Sequence, residues 1–155
     1  MNLGKHIDFT LLRQYLEFKR DGGVSYIFDP IRRKFLVQTP EETVRQLVIQ
    51  YLIRERQYPA SLLAVEKMVK VNGISKRFDI LAFDKSNHPL LLVECKAPQV
   101  RISANAFFQS SSYNLALNVP YMLVTNGLEI YCCQIDYDNR SYSFLGEVPL
   151  YPVYN

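Results

Sequence analysis

The sequence predicts one α/β domain: a mixed β-sheet flanked by helices, with an antiparallel β meander in front. Three observations carry that expectation. Thr39-Pro40-Glu41-Glu42 opens a helix with apolar residues at Val44, Leu47, Val48, Tyr51 and Leu52, the spacing of one buried face. Strand-like runs at Val65–Val71, Arg77–Phe83, Leu90–Lys96, Tyr121–Thr125 and Leu128–Ile135 are separated by turn residues or by a helical stretch. A length of 155 residues, 48% hydrophobic and 21% charged, fits a single globular domain.

In chain order, Gln14–Arg20 and Val24–Phe28 flank Asp21-Gly22-Gly23 and read as a hairpin. Asp29-Pro30 forces a further turn, and Lys34–Val37 supplies a third strand. The helix begins with Thr39 as N-cap, Pro40 in the first helical position and two acids at its positive end. Thr39 and Glu42 also have the spacing of a capping box, and the helix ends near Arg56. The first long strand stops at Asn72-Gly73, and the second and third are joined by a short loop, 84–89. Residues 103–118 read as a helix with Ala104, Phe107, Phe108, Ser111 and Leu115 on one side. Asn126-Gly127 signals a two-residue hairpin between the last two core strands. The tyrosine-rich tail adds an edge segment. The expected division of the single domain, 1–155, is an N-terminal β-rich extension over 1–38, a core over 39–135 and a tail over 136–155 packing on the core.

Composition narrows the function. Lys and Arg number 18 against 15 Asp and Glu, a net charge of +3, which permits nucleic acid as a partner without demanding it. The three cysteines form no Cys-x-x-Cys pair, and the two histidines are far apart, so neither a disulfide framework nor a zinc site is expected. No phosphate-binding Gly-rich loop is present. No run approaches the ~20 apolar residues of a membrane span, and the N-terminus has no apolar signal core. The expectation is a cytoplasmic chain with no membrane partner.

The chemistry gathers in Arg77-Phe78-Asp79-Ile80-Leu81-Ala82-Phe83 and Leu91-Leu92-Val93-Glu94-Cys95-Lys96. Both segments are otherwise apolar enough to be central strands, where a charge is costly unless paired or bound to metal. Glu94 and Lys96 share one face, while Val93 and Cys95 share the other. The short loop predicts antiparallel pairing, which brings Asp79 beside Glu94. Two carboxylates ~4 Å apart repel by roughly 4 kcal/mol at an effective dielectric of ~20. A hard divalent cation such as Mg²⁺ removes that conflict, with water and a substrate phosphate completing its oxygen shell. Lys96 then serves the attacking water or the phosphate charge. A structural ion pair is the ordinary reading of any one such pair; the ordered frame around the triplet sets it apart.

That frame resembles the PD-(D/E)xK nuclease superfamily: Asp79, then Glu94-Cys95-Lys96, inside helix-strand-strand-strand-helix-strand, with Phe78 where the motif's proline stands. Four segments together resemble the N-terminal nuclease domain of type I restriction enzyme R subunits. They are Ile27-Phe28-Asp29-Pro30-Ile31-Arg32-Arg33-Lys34, Thr39-Pro40-Glu41-Glu42-x-Val44-Arg45-Gln46, Lys76-Arg77-x-Asp79-Ile80 and Glu94-Cys95-Lys96-Ala97-Pro98. The resemblance implies a restriction-endonuclease-like core and a nuclease that hydrolyses DNA phosphodiester bonds with Mg²⁺, or Mn²⁺ as its substitute. It implies metal ligation by Asp79, Glu94, the Cys95 carbonyl and Glu42, and catalysis by Asp79, Glu94 and Lys96. Gln109 and Tyr113 match a Gln-x-x-x-Tyr motif on the following helix; their plainer roles are a solvated helix residue and a core-rim aromatic. Glu42 has the alternative role of helix capping, and Arg45 that of a local partner for Glu42. Lys76, Arg77 and Arg101 are the expected phosphate contacts, with Arg32, Arg33 and Lys34 as further candidates. R subunits of the family continue into a translocating ATPase. This sequence has no Walker-type loop, so the expectation is a chain that acts alone, works beside a separate motor or is a fragment of an older enzyme. Its expected partner is DNA, with a separate translocase or restriction-modification subunits as further candidates. The alternative readings are a non-cleaving nucleic-acid-binding module of the same fold, a structural protein whose triplet is an internal ion network, and a tRNA- or RNA-directed member of the superfamily, since the backbone chemistry is shared.

Overall fold

The structure is a computed structural model that describes residues 8–103, 107 and 117–153. A 3-10 helix, Phe9–Tyr15, precedes a three-stranded antiparallel sheet of β1 (Phe18–Asp21), β2 (Val24–Asp29) and β3 (Lys34–Val37). The expected meander is present with a shorter first strand. Gln14 and Tyr15 belong to the 3-10 helix, which Asp8 caps by accepting the Thr10 N–H at 2.9 Å. Helix α1 spans Pro40–Arg54, and Thr39 Oγ1 accepts the Glu42 N–H at 3.0 Å, satisfying one of the unpaired donors of its first turn.

The main sheet contains β4 (Leu63–Val71), β5 (Ile74–Phe83), β6 (Pro89–Cys95), β7 (Tyr121–Thr125), β8 (Ile130–Asp136) and β9 (Ser141–Leu145), side by side in that order. Neighbours are antiparallel except β6 and β7, which run parallel. A parallel pair needs a long crossover, and the stretch between Cys95 and Tyr121 provides it. The helix expected at 103–118 falls mostly outside the described residues. Within it, Phe107 donates its N–H to Ser103 O at 3.0 Å, the spacing of one helical turn, and packs its ring on Tyr142 and Phe144 of β9. The mixed sheet behind α1 is the restriction-endonuclease-like arrangement.

One turn differs from its sequence signal. Thr125 pairs with Ile130, so β7 and β8 are joined by a four-residue loop instead of a two-residue one. Asn126 Oδ1 accepts the N–H groups of both Leu128 and Glu129, and that side-chain turn holds the wider loop. Gly127 has φ +87°, and a Cβ there would stand 3.2 Å from Val44 Cγ2, so glycine lets the loop close against α1.

Both sheet faces are covered. Val44, Leu47, Val48 and Leu52 of α1 pack with Ile80, Ala82, Leu91, Val93, Cys95 and Leu123. On the other face Phe78, Leu81 and Leu92 gather with Val119, and Met122, Val124 and Cys133 with Ile102 and Phe107. The register shifts between Ala82 and Phe83, where Leu90 and Leu91 both join the α1-side core, and the alternation of faces slips again nearer the site. Val65 and Ile80 pack on the α1 side, whereas Val69 and Phe78 pack on the opposite side. The slip falls at Glu66, whose φ is +56°, and at Asp79, the one pair missing between Val65↔Ile80 and Lys67↔Phe78. Among the described residues no helix is long and apolar enough to cross a membrane.

Candidate active site

Asp79 sits where β5 parts from β6. Ile80 pairs with Val93, so Asp79 and Glu94, one step further along each strand, come abreast. The slip in β5 frees the Asp79 carboxylate from ordinary alternation. Its Oδ2 accepts the Cys95 N–H at 2.8 Å, and its Oδ1 accepts Arg45 Nη2 at 2.7 Å.

Glu94 and Lys96 lie half-buried on the face opposite Val93 and Cys95, as strand geometry dictates. Lys96 is rooted by its backbone, which donates to Thr125 O at 2.8 Å. Burial and then the charge of Asp79 push the Glu94 carboxyl up to about 7, against the pull of Lys76 and Lys96. Burial lowers the pKa of the Lys76 ammonium, which Glu94 holds up and Lys96 lowers further. Asp79, Glu94, Lys76 and Lys96 therefore share one electrostatic neighbourhood.

Toward α1 the charges are paired in a chain. Asp29 is fully buried; its Oδ1 accepts the N–H groups of Ile31 and Arg32, and its Oδ2 accepts Arg32 Nε at 2.6 Å. Arg32 Nη2 continues to Glu42 Oε1 at 3.0 Å, which also accepts Gln46 Nε2 at 3.0 Å. Arg45 Nη1 donates to Glu42 Oε2, and its Nη2 lies 2.7 Å from both Asp79 Oδ1 and Glu66 Oε1. Glu66 Oε2 in turn accepts Arg77 Nη1 at 3.1 Å. Burial works against the Arg45 charge, but the bond and charge of Asp79, with Glu42 and Glu66, outweigh it and raise its pKa.

Several expectations change here. Glu42 makes only the backbone half of the capping box, because its carboxylate turns inward to Arg32, Arg45 and Gln46. Arg32, a candidate for DNA phosphate, is committed to Asp29 and Glu42. Arg45 keeps its local pair with Glu42 and adds long-range bonds to Asp79 and Glu66. Cys95 buries its side chain in the α1-side core, where burial raises the thiol far above its ordinary range, and meets the site through its backbone. Arg77 and Arg101 are exposed and Lys76 is half-buried. Gln109 and Tyr113 lie outside the described residues. Sequence reasoning reads Asp29 only as a turn residue and part of a family-like segment, missing its hold on Arg32, and passes over Glu66. The available signals are an acid interrupting the apolar run Val65–Val71 and the short spacing of Asp29 and Arg32 around a proline turn.

Among the described residues no three His, Cys, Asp or Glu side chains converge as a ready-made metal cage. The donors at the sheet edge fit a hard cation in another way. Among the described residues each Asp79 oxygen has one hydrogen-bond partner and retains accepting capacity, and the half-buried Glu94 carboxylate feels Lys76 and Lys96 as its favourable charges. Two carboxylates suit Mg²⁺, which keeps several waters and shares substrate oxygens.

A family profile described as type I restriction enzyme R protein N terminus matches residues 40–149. The chain belongs to that family. No match is found among the curated proteins. The part matched as type I restriction enzyme R protein N terminus begins at Pro40, the first residue of α1, and runs beyond β9. It therefore contains Glu42, Arg45, Glu66, Asp79, Glu94 and Lys96, while Asp29 and Arg32 buttress it from outside.

Proposed function

We propose that this chain is a Mg²⁺-dependent endonuclease that hydrolyses DNA phosphodiester bonds, with Mn²⁺ as a substitute. The supporting observation is the placement of Asp79, Glu94 and Lys96 at one edge of β5 and β6, where burial and the charge of Asp79 act against the charge on Glu94. Asp79 and Glu94, with the Cys95 carbonyl, are the residues to hold the ion. When bound, such a metal polarises a phosphate oxygen and lowers the pKa of its water.

The chain's own groups do the positioning. Arg45 and the Cys95 N–H fix the Asp79 carboxylate from two directions. Glu42 holds Arg45, so it serves the site at one remove; joining the ligand set directly requires it to give up one of its present partners. Lys96 orients the attacking water or meets the charge on the phosphate. Gln109 and Tyr113 complete the site, as the resemblance to these nucleases implies. Lys76, Arg77 and Arg101 contact DNA phosphates, and the chain works beside a translocase or restriction-modification subunits.

The test is incubation of the purified protein with duplex and single-stranded DNA in Mg²⁺ or Mn²⁺. Cleavage is expected, with its loss on chelation and in Asp79→Asn, Glu94→Gln and Lys96→Met. No cutting with either metal, together with unchanged metal affinity in Asp79→Asn and Glu94→Gln, removes the enzymatic reading. The second reading, a module that binds DNA without cutting, draws support from Asp79 already being engaged by Arg45 and Cys95. Its signature is DNA affinity that survives chelation without cleavage.

A further inference from the structure

The β4–β5 hairpin runs past the rest of the main sheet. β6 pairs with β5 only from Ile80 to Phe83, whereas β4 and β5 continue from Lys67↔Phe78 to Val71↔Ile74. Asn72 and Gly73, with φ of 50° and 78°, close it as a two-residue turn. At ~3.3 Å per residue, the ribbon reaches about 17 Å beyond Asp79. Its sequence from 67 to 78, Lys-Met-Val-Lys-Val-Asn-Gly-Ile-Ser-Lys-Arg-Phe, contains four basic residues and no acid. Lys67, Lys70 and Arg77 are exposed. So are two large apolar side chains, Met68 at 55% and Ile74 at 66%.

We propose that this ribbon is an arm that enters the major groove of B-form duplex DNA and sets the duplex backbone against Asp79. The proposal rests on the nuclease reading and adds the form of the substrate. A two-stranded β-ribbon fits the B-form major groove, about 12 Å wide. The A-form major groove of duplex RNA is too narrow for it, and a single strand offers no groove. Lys70 supplies a phosphate contact directly, and Lys67, whose ammonium lies 4.8 Å from the centre of the Phe83 ring, reaches phosphate by swinging off that ring. Met68 and Ile74 present apolar surface to base edges such as the thymine methyl group. Because the ribbon leads straight into Asp79, a duplex seated on it has a strand at the candidate site.

The test measures binding of a short fluorescein-labelled DNA duplex to the full chain by anisotropy, in EDTA, over a range of KCl concentrations. K67Q/K70Q changes two exposed residues outside the proposed catalytic set, and an unchanged melting temperature verifies its fold. The variant is expected to bind at least about tenfold more weakly, with a log K against log salt slope shallower by about 2. An RNA duplex of the same sequence is expected to bind more weakly than DNA and to ignore the substitutions. Wild-type affinity and slope in K67Q/K70Q, or equal binding of DNA and RNA duplexes, overturns the arm. If DNA is cut in Mg²⁺ while K67Q/K70Q binds as wild type, the arm fails and the nuclease reading stands. Arm-dependent binding without cutting in Mg²⁺ or Mn²⁺, joined to unchanged metal affinity in Asp79→Asn and Glu94→Gln, upholds the arm and removes the nuclease. No duplex binding at all removes the arm and, joined to absent cleavage, both.

Discussion

The two sides of Asp79 are built on opposite terms. Toward α1, alternating charges run from Asp29 through Arg32, Glu42 and Arg45 to Asp79 and Glu66, each with a partner in bonding range. On the other side, Glu94 is pushed up to about 7 by burial and by the charge of Asp79, with Lys76 and Lys96 offsetting only part of this. On the paired side every one of these charges has a counter-charge, although the buried Arg45 Nε and Gln46 Oε1 have no hydrogen-bond partner among the described residues. On the Glu94 side burial and the charge of Asp79 act against the ionised carboxylate, the kind of perturbation found both at functional sites and in structural ion networks. Asp79 belongs to both sides, held still by one and offered to the other.

Arg45→Gln breaks the comparison most severely. It removes the cation shared by Glu42, Glu66 and Asp79, and stripping one partner from a buried ion network costs about 3–5 kcal/mol. The urea midpoint of unfolding should fall accordingly. Arg45→Lys keeps the charge without the planar fork and should recover only part of the loss. A loss under about 1 kcal/mol would show that the network behaves as a surface pair does, with no special standing.

Glu94→Gln tests the other side and should act in the opposite direction. The Glu94 carboxyl is raised in the folded state from 4.5 to about 7. Its favourable contribution is therefore fully present below pH 4.5 and lost as pH rises through about 7. A shift of that size corresponds to an upper bound of about 3 kcal/mol of cost by pH 8. Glutamine mimics the protonated form. Metal-free Glu94→Gln should match wild type at low pH and melt at a higher temperature at pH 8, the gap opening between pH 5 and 8. Adding Mg²⁺ should narrow it by stabilising the wild type alone. Equal melting temperatures at pH 8 would mean that Glu94 is as well compensated as Asp79, and the contrast between the two sides would vanish.

Asp29→Asn has a smaller reach. It removes the charge under Arg32 while keeping one side-chain oxygen for the turn N–H groups, so about 2 kcal/mol is expected, the scale of a charge-assisted hydrogen bond. Thermal unfolding measures it. A larger effect would make the β2–β3 turn as integral to the paired side as Arg45.

What the sequence reveals of these features follows from the range over which each is determined. Helix α1 is legible because Thr39, Pro40 and the acids after it act within one turn, and the end of β7 because Asn126-Gly127 stands there. That Asp79 and Glu94 meet follows from the short loop and antiparallel pairing, but their exact alignment also needs the register shift between Ala82 and Phe83, without which Asp79 would stand opposite Val93. The widened loop at Asn126 depends on which N–H groups one side chain captures, and the motif cannot tell two such turns apart. Arg45 is hardest to read. Its nearest acids in sequence, Glu41 and Glu42, suggest a local pair, whereas its bond to Asp79 spans 34 positions and exists only because β4 and β5 slip at Glu66. A periodic pattern holds no advance notice of where it will be broken.

The smallest expected effect bears on whether the paired side is one unit. Thr39 Oγ1 accepts the Glu42 N–H, while Thr39 O accepts the N–H of Thr43 at 3.0 Å. Thr39→Ala removes only the first of these bonds, for about 1 kcal/mol, and Thr39→Ser should restore it. That bond also fixes the backbone of the residue whose carboxylate grips Arg32 and Arg45. If the cap merely ends a helix, the losses from Thr39→Ala and Arg45→Gln should add to within about 0.5 kcal/mol in the double variant. If the cap aims Glu42, then once Arg45 is gone it has less to aim, and the double variant should lose less than the sum by more than that margin. The second outcome is expected, because Glu42 divides its two oxygens among three donors on separate residues, and no small rotation of the helix start can keep all three.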